Sequence, residues 1–358
     1  MTMWPDRRVL DLLHIDVPIL LAPMAGPGLA ELAIAVAEAG GLGSLPTALI
    51  SADQVRAEVA KFRAGAARPI NLNFFCHTPP APDPARDLAW RDRLAPYYRE
   101  LGLDPSAPIQ PSARAPFDAA LCRLIEDLRP EVVSFHFGLP APALLDRVRA
   151  AGAVILSSAT TVAEARWLEA HGCDAIIAQG AEAGGHRGVF LADPIAACAT
   201  QPGTMALVPQ IVDAVSRPVI AAGGIADGRG IVAALALGAA AVQIGTAYLF
   251  CPEAKVPAAH RDALRRATDD GTALTNLFTG RPARGLINRA MRELGPLSAD
   301  APAFPFAGGA LAPLKARADG DWGSLWAGQA AALGRERPAA ELTRALAEDA
   351  LARLGRRG

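Results

Sequence analysis

The chain has 358 residues, with 35 Lys+Arg set against 36 Asp+Glu, a formal net charge of -1. That balance argues against a nucleic-acid partner or an anionic membrane surface. Half of the residues (51%) are hydrophobic and 20% are charged, so the chain can bury a core and intrinsic disorder is excluded.

At the start, Arg7-Arg8 precedes an apolar stretch, but Asp11, His14 and Asp16 interrupt it, so it reads as mature protein and the chain as cytoplasmic. From there, eight short apolar runs recur: Pro18–Ala22, Gly41–Leu45, Ile70–Phe75, Val132–Phe137, Val154–Ser157, Ala175–Ala178, Val219–Ala222 and Ala241–Gly245. A helical pattern follows each, the first over Leu29–Ala39 and the last over Pro257–Ala267. Runs that are apolar on both faces and separated by helices are what a buried parallel sheet requires. Ser51-Ala-Asp-Gln and Thr161-Val-Ala-Glu read as helix starts. The apolar stretch from Ile231 to Pro252 is long enough to span a bilayer but changes pattern halfway, so it reads as a buried helix followed by a buried strand.

Eight such units in order predict a closed (β/α)₈ TIM barrel, with an open doubly wound sheet as the alternative. The barrel is expected over 1–268, with a Pro/Arg/Asp-rich excursion at 78–112, followed by a mostly helical C-terminal segment at 269–358. Five dispersed cysteines without C-x-x-C spacing predict free thiols and no metal site. The sequence leaves monomer or homodimer open.

In such a barrel the polar residues at the strand ends carry the chemistry. Asn71 and Asn73 share one face of the third run, where two amides suit either a heterocycle edge or a buried amide network. A His on an apolar strand is more often a core residue, but His136 ends its run just before Gly138-Leu-Pro and is therefore a candidate. The segment Gln179-Gly-Ala-Glu-Ala-Gly-Gly-His-Arg-Gly188 concentrates Gly184, Gly185 and Gly188 around His186 and Arg187. So many glycines point to a ligand that approaches the backbone closely. Arg187 is expected to orient this loop or to draw in an anion. Gly223-Gly224 and Gly245-Thr246 end the seventh and eighth runs, where barrels often hold phosphate on backbone N–H groups and a helix N-terminus. A phosphorylated cofactor is therefore expected.

These motifs resemble those of the nitronate monooxygenases, also called 2-nitropropane dioxygenases. The matching stretches are Pro18-Ile-Leu-Leu-Ala-Pro-Met-Ala-Gly26, Asn71-Leu-Asn-Phe-Phe75, Ser134-Phe-His-Phe-Gly138, Gln179–Gly188, Ala222-Gly-Gly-Ile-Ala226 and Gln243-Ile-Gly-Thr246. Gly280-Arg-Pro-Ala-Arg-Gly285 and Ser324-Leu-Trp-Ala-Gly-Gln329 also look like family elements. The resemblance implies an FMN-dependent barrel that oxidises nitronates with O2 to a carbonyl compound and nitrite. It implies FMN contacts at Pro23, Met24, Asn71, Gln179, Gly184, Gly185, Gly223, Gly224, Gln243, Ile244, Gly245 and Thr246, and catalytic roles for His186 and His136. Where the family pattern suggests a Tyr, this chain has Phe304, which bears on substrate range. The alternatives are an NAD(P)H-dependent flavin reductase of the same superfamily and a non-redox phosphate-binding barrel.

Overall fold

The computed structural model describes residues 4–109, 112 and 114–355. Positions 110 and 111 of the expected excursion, and the last residues up to Gly358, lie outside the described residues. The first six strands are β1 (Ile19–Leu21), β2 (Gly43–Pro46), β3 (Ile70–Phe75), β4 (Val132–His136), β5 (Val154–Ala159) and β6 (Ala175–Gln179). A two-residue strand, β7 (Gly185–His186), follows, and then β8 (Val219–Ala222) and β9 (Ala241–Ile244). All but β7 pair in parallel, in the order β1-β9-β8-β6-β5-β4-β3-β2. A bridge between Leu20 and Leu42 joins the two edges, with Leu21 N–H donating to the Leu42 carbonyl at 3.0 Å. The sheet thus closes into the expected barrel, and the open-sheet alternative falls.

Alternation along the strands sorts the side chains. Ile19, Leu21, Leu72, Phe74, Val133, Phe135, Ile155 and Ile176 point outward and pack under the surrounding helices in one continuous core. The inward positions change character along each strand. At the base, Leu20, Leu42, Val132, Leu156, Ala175 and Ile220 fill the barrel, and the helix Arg8–Leu13 covers them with Val9, Leu10 and Leu13. Toward the strand ends the inward residues become Asn73, Ser134, His136, Ser158, Gln179 and Gln243. The apolar base holds the barrel together, and the polar layer above it is free for chemistry.

The predicted helix starts form as capping motifs. Ser51 Oγ accepts from Gln54 N–H (3.2 Å) while Gln54 Oε1 accepts from Ser51 N–H (2.8 Å), an arrangement worth about 1 kcal/mol. At Thr161 only half of this motif forms. The Thr161 hydroxyl caps Glu164 N–H, but the Glu164 carboxylate turns to Thr160, Phe190 and Leu191 and so ties down the loop after the glycine-rich segment. The stretch from Ile231 is the predicted helix-then-strand, and among the described residues no helix is long and apolar enough to cross a membrane.

Two parts of the chain were not legible in detail. The excursion carries a 17-residue helix, Pro84–Glu100. It packs on the C-terminal segment through Trp90 Nε1–H to the Ala307 carbonyl (3.0 Å) and Tyr98 O–H to the Ala310 carbonyl (2.5 Å). The C-terminal segment is not wholly helical. It contributes β10 (Thr272–Thr275) and β11 (Ala283–Leu286), which form an antiparallel sheet with β7 in the order β10-β11-β7. The last helix, Ala339–Gly355, lies on the outside of the barrel against the helices Ala30–Glu38 and Gly228–Ala236.

Candidate active site

A cavity of about 420 Å³ opens over the C-terminal ends of the barrel strands. One wall is backbone. Gly223, Gly224, Gly245 and Thr246 line it, and among the described residues their N–H groups donate to no protein acceptor. Convergent backbone donors without partners make an anion site. Gly223 and Gly224 have φ of +111° and +72°, values that a side chain disfavours, and this turns both amides. The helix N-terminus in this wall is the start of the short 3₁₀-helix Thr246–Phe250, with Gly245 at its cap, and the two neighbouring α-helices are capped by side chains instead. Asp227 caps the helix Gly228–Ala236, and the Glu182 carboxylate caps the helix Thr204–Val212 through Thr204 N–H (2.8 Å) and Oγ1–H (2.9 Å). Glu182, read from sequence as part of the reactive loop, is spent on that cap.

Phe75, His186 and Trp326 give the cavity an aromatic wall, and Phe137 and Phe304 pack behind it. The rings of Phe75, Phe137, His186 and Phe304 stand 5.0–6.2 Å apart, mostly edge to face, and Trp326 lies 5.6 Å from His186. His136 and His186 both line the cavity, as the sequence led us to expect. Phe137, between His136 and Gly138, holds a left-handed φ of +71°. Such backbone strain is characteristic of positioned residues.

The hydrogen bonds assign the two imidazoles different work. His136 Nε2 lies 3.1 Å from the His186 carbonyl, which can only accept, so Nε2 carries the proton. Its Nδ1 then accepts from Ser158 O–H at 3.0 Å. Both nitrogens of His136 are therefore occupied, and burial lowers its pKa to about 4. His186 Nε2 lies 3.0 Å from Thr279 Oγ1, whose proton goes to the Arg281 carbonyl at 3.3 Å, so Nε2–H donates here as well. Nδ1 of His186 has no hydrogen-bond partner among the described residues. It is a free lone pair on a ring that faces the cavity. Burial, followed by the charge of Arg114, holds the His186 pKa well below its ordinary value. His186 is thus neutral and basic at one nitrogen, and His136 is a prop.

Several expectations shift in place. His186 does not lie in a free loop, because β7 pairs with β11 with His186 opposite Ala283, and Arg187 N–H donates to the Pro282 carbonyl at 2.8 Å. The crowd of glycines has an internal cause in part. A Cβ on Gly184 would sit 2.6 Å from Gly328 N, and one on Gly188 would sit 3.0 Å from His136 Cε1. Only Gly185, with φ +72° and open space around it, fits the ligand-approach argument. Gln179 lines the cavity, but its side chain mainly braces this segment. Nε2–H donates to the His186 carbonyl (2.9 Å), and Oε1 accepts from Gly188 N–H (2.8 Å) and Arg187 Nη1–H (3.0 Å).

Arg187 is not a steering charge at the surface. It is 0% exposed beneath the segment, where it bonds the Gln179 carbonyl (3.0 Å) and the Gly180 carbonyl (2.6 Å) and burial lowers its pKa to about 10. The side chains of Asn71 and Ile244 do not reach the cavity. Asn71 lies a layer deeper, donating to Ser44 Oγ (3.0 Å) with its Oδ1 unpaired, and Ile244 points outward into the helix-covered core. Asn73 is the amide on the cavity wall and donates to Ser134 Oγ (2.9 Å). Pro23, Met24, Gln243 and the remaining glycines line the cavity. Thr279, Trp326 and Gly328 were missed as site residues, although two of the C-terminal family stretches contain or adjoin them. No cluster of His, Cys, Asp and Glu suited to a metal occurs among the described residues, and all five cysteines are free.

A closed parallel barrel with a half-polar chamber over its strand ends, built around a neutral histidine and a nest of backbone donors, defines a barrel enzyme. Comparison with known proteins narrows the class. Residues 6–349 match the nitronate monooxygenase family model. A nitronate monooxygenase of Pseudomonas aeruginosa is 45% identical over 96% of this chain and 98% of its own. Among solved structures, a nitroalkane oxidase from Streptomyces ansochromogenes superposes with a TM-score of 0.88 at 38% identity, covering 98% of this chain and 100% of that one. FabK from Thermotoga maritima superposes at 0.72 with 28% identity, covering 98% and 97%. The chain belongs to the nitronate monooxygenase family, and it is an oxidoreductase.

Proposed function

We propose that the protein oxidises nitronates with FMN and O2, giving a carbonyl compound and nitrite. The observation that carries this reading is the joining, in one cavity, of a nest of unpartnered backbone donors to a chamber holding a neutral His186. The residues fit FMN: the cavity size suits a cofactor, and the N–H groups of Gly223, Gly224, Gly245 and Thr246 suit a single terminal phosphate. Pro23, Met24 and Gln243 would lie along the ring system, and the open backbone at Gly185 allows close approach. When bound, FMN supplies the electron acceptor and the centre at which dioxygen is reduced.

The chain's own part is binding, orientation and proton handling. His186 Nδ1 accepts the α-proton of a neutral nitroalkane, and the proton on Nε2 stays with Thr279. His136 and Gln179 both donate to the His186 carbonyl and hold that segment still. Phe75, Phe304 and Trp326 keep bulk water away from the developing charge. Phe304 stands 4.8 Å from the His77 ring and 5.4 Å from that of His186, so it presents an apolar edge where a Tyr would present a hydroxyl.

The test is oxygen consumption and nitrite release with ethyl nitronate and propionate 3-nitronate. A weaker second reading, which the resemblance of the motifs to the broader superfamily carries, is an NAD(P)H-dependent flavin reductase acting on quinones or enoyl thioesters. Anaerobic NADH and NADPH separate the two, since rapid bleaching of the flavin would overturn the first.

A further inference from the structure

We infer that Arg114 is the anion receptor of this cavity, gripping the two oxygens of the substrate's charged end. For the identity of that anion, a nitronate, the inference rests on the functional reading above. For the existence of a receptor it does not.

Arg114 lies between β3 and the helix Ala119–Leu128, outside every motif that pointed to the site, yet it lines the same cavity as Asn73, His136 and His186. Its backbone N–H donates to Ser112 Oγ at 3.2 Å, while its guanidinium has no hydrogen bond or carboxylate partner among the described residues. The other cations nearby are engaged. Arg187 binds the Gln179 and Gly180 carbonyls, Arg281 binds the Val189 carbonyl and lies 4.0 Å over the Phe137 ring, and Arg284 binds the Ala181 and Thr272 carbonyls. Of the two lysines on the cavity wall, Lys255 faces Glu31 (3.5 Å) and Lys315 faces Asp319 (3.6 Å).

The histidines of the cavity, His136, His186 and His260, and the neighbouring His77 cannot substitute. Burial keeps His77, His136 and His260 near pKa 4 and His186 well below its usual value, so all are uncharged at neutral pH. A half-buried guanidinium with no partner among the described residues is unfavourable alone and favourable opposite an anion. Its planar fork matches the paired oxygens of a nitronate or a carboxylate, both flat two-oxygen heads sharing one charge. The steering role expected of Arg187 therefore belongs to Arg114.

Propionate serves as an unreactive probe of the shared chemistry. Calorimetric titration of the flavin-loaded enzyme with propionate should show binding that Arg114→Gln weakens about 10- to 100-fold, the range for one charge-assisted bond. Arg114→Lys, which keeps the charge but loses the fork, should fall between and shows that loss is not a folding defect. In turnover, Arg114→Gln should raise the KM for ethyl nitronate by a similar factor while kcat moves less than about threefold. Absence of propionate binding in the wild type, equal affinity in Arg114→Gln, or a fall in kcat at constant KM would each overturn the assignment. If the wild type binds propionate through Arg114 but oxidises no nitronate, the receptor stands and the functional reading falls.

Discussion

His186→Asn separates proton abstraction from every other role of this residue. In the structure the imidazole donates from Nε2 to Thr279 and leaves Nδ1 open to the cavity. Asparagine keeps a polar side chain of similar reach, and β7 is held by backbone pairing with β11, so fold and flavin content should persist. A general base is worth about 10²–10⁴-fold. Because burial holds this ring well below its ordinary pKa, it is a weak base, and the lower part of the range applies. We expect kcat/KM for neutral nitroethane to fall about 10²- to 10³-fold, that is about 3–4 kcal/mol of barrier. For ethyl nitronate, which has already lost the proton, the fall should stay under about tenfold. The assay is stopped-flow flavin reduction under anaerobic conditions with each form of the substrate. Equal losses on both forms would refute the base assignment and leave His186 as a binding group.

Other expectations concern its surroundings. Arg187→Ala removes a buried guanidinium and strands two carbonyls, so urea denaturation should show a loss of about 3 kcal/mol, and any activity loss should not depend on salt. Gly245→Asp adds a Cβ with tolerable neighbours (3.3 Å to Ala22 Cβ) and brings a carboxylate to the backbone nest, so it should fold and purify without flavin. Full flavin content would remove the phosphate from that wall. Gly223→Asp cannot serve the same purpose, because its Cβ would press on Ala183 N and Thr204 Oγ1 at 3.0 Å with φ at +111°. The buried histidines have folded pKa values below their unfolded ones. Their contribution to stability is present above pH 6.5 and is lost as pH falls toward 4, by about 1.4 kcal/mol per pH unit for each ring. A denaturation midpoint that stays constant from pH 7 to 4.5 would contradict this.

The barrel was legible because each of its strands announces itself alone. A run such as Val219–Ala222 is apolar on both faces and ends at glycine, whatever happens elsewhere in the chain. The parity of Asn73, His136 and Gln179 was legible for the same reason. What stayed hidden depended on distant partners. β11 reads as Ala283-Arg-Gly-Leu286, with no alternation to mark a strand, and it exists because β10 and β7 complete its hydrogen bonds. The helix Pro84–Glu100 carries Pro96 and is mostly polar, and Trp90, Leu94 and Tyr98 become a face only once the C-terminal segment covers them. Of the two parts open to Arg187, orienting its segment or drawing in an anion, burial leaves the first, and this was hidden because a sequence shows charge and not depth.

The pairing of β7 with β11 also sets an order of events. His186 emerges just past the midpoint of the chain, whereas the strand that fixes it and the Thr279 that claims its Nε2 proton come much later. Closing so long a loop is slow compared with forming a barrel unit from neighbouring segments. During synthesis, a barrel could therefore be complete in outline while its reactive segment is still slack. The amide of Arg187, which donates to the Pro282 carbonyl, would remain open to hydrogen exchange until the C-terminal residues dock. The segment that carries His186 is thereby fixed only once residues 272–286 have been made and have docked on it.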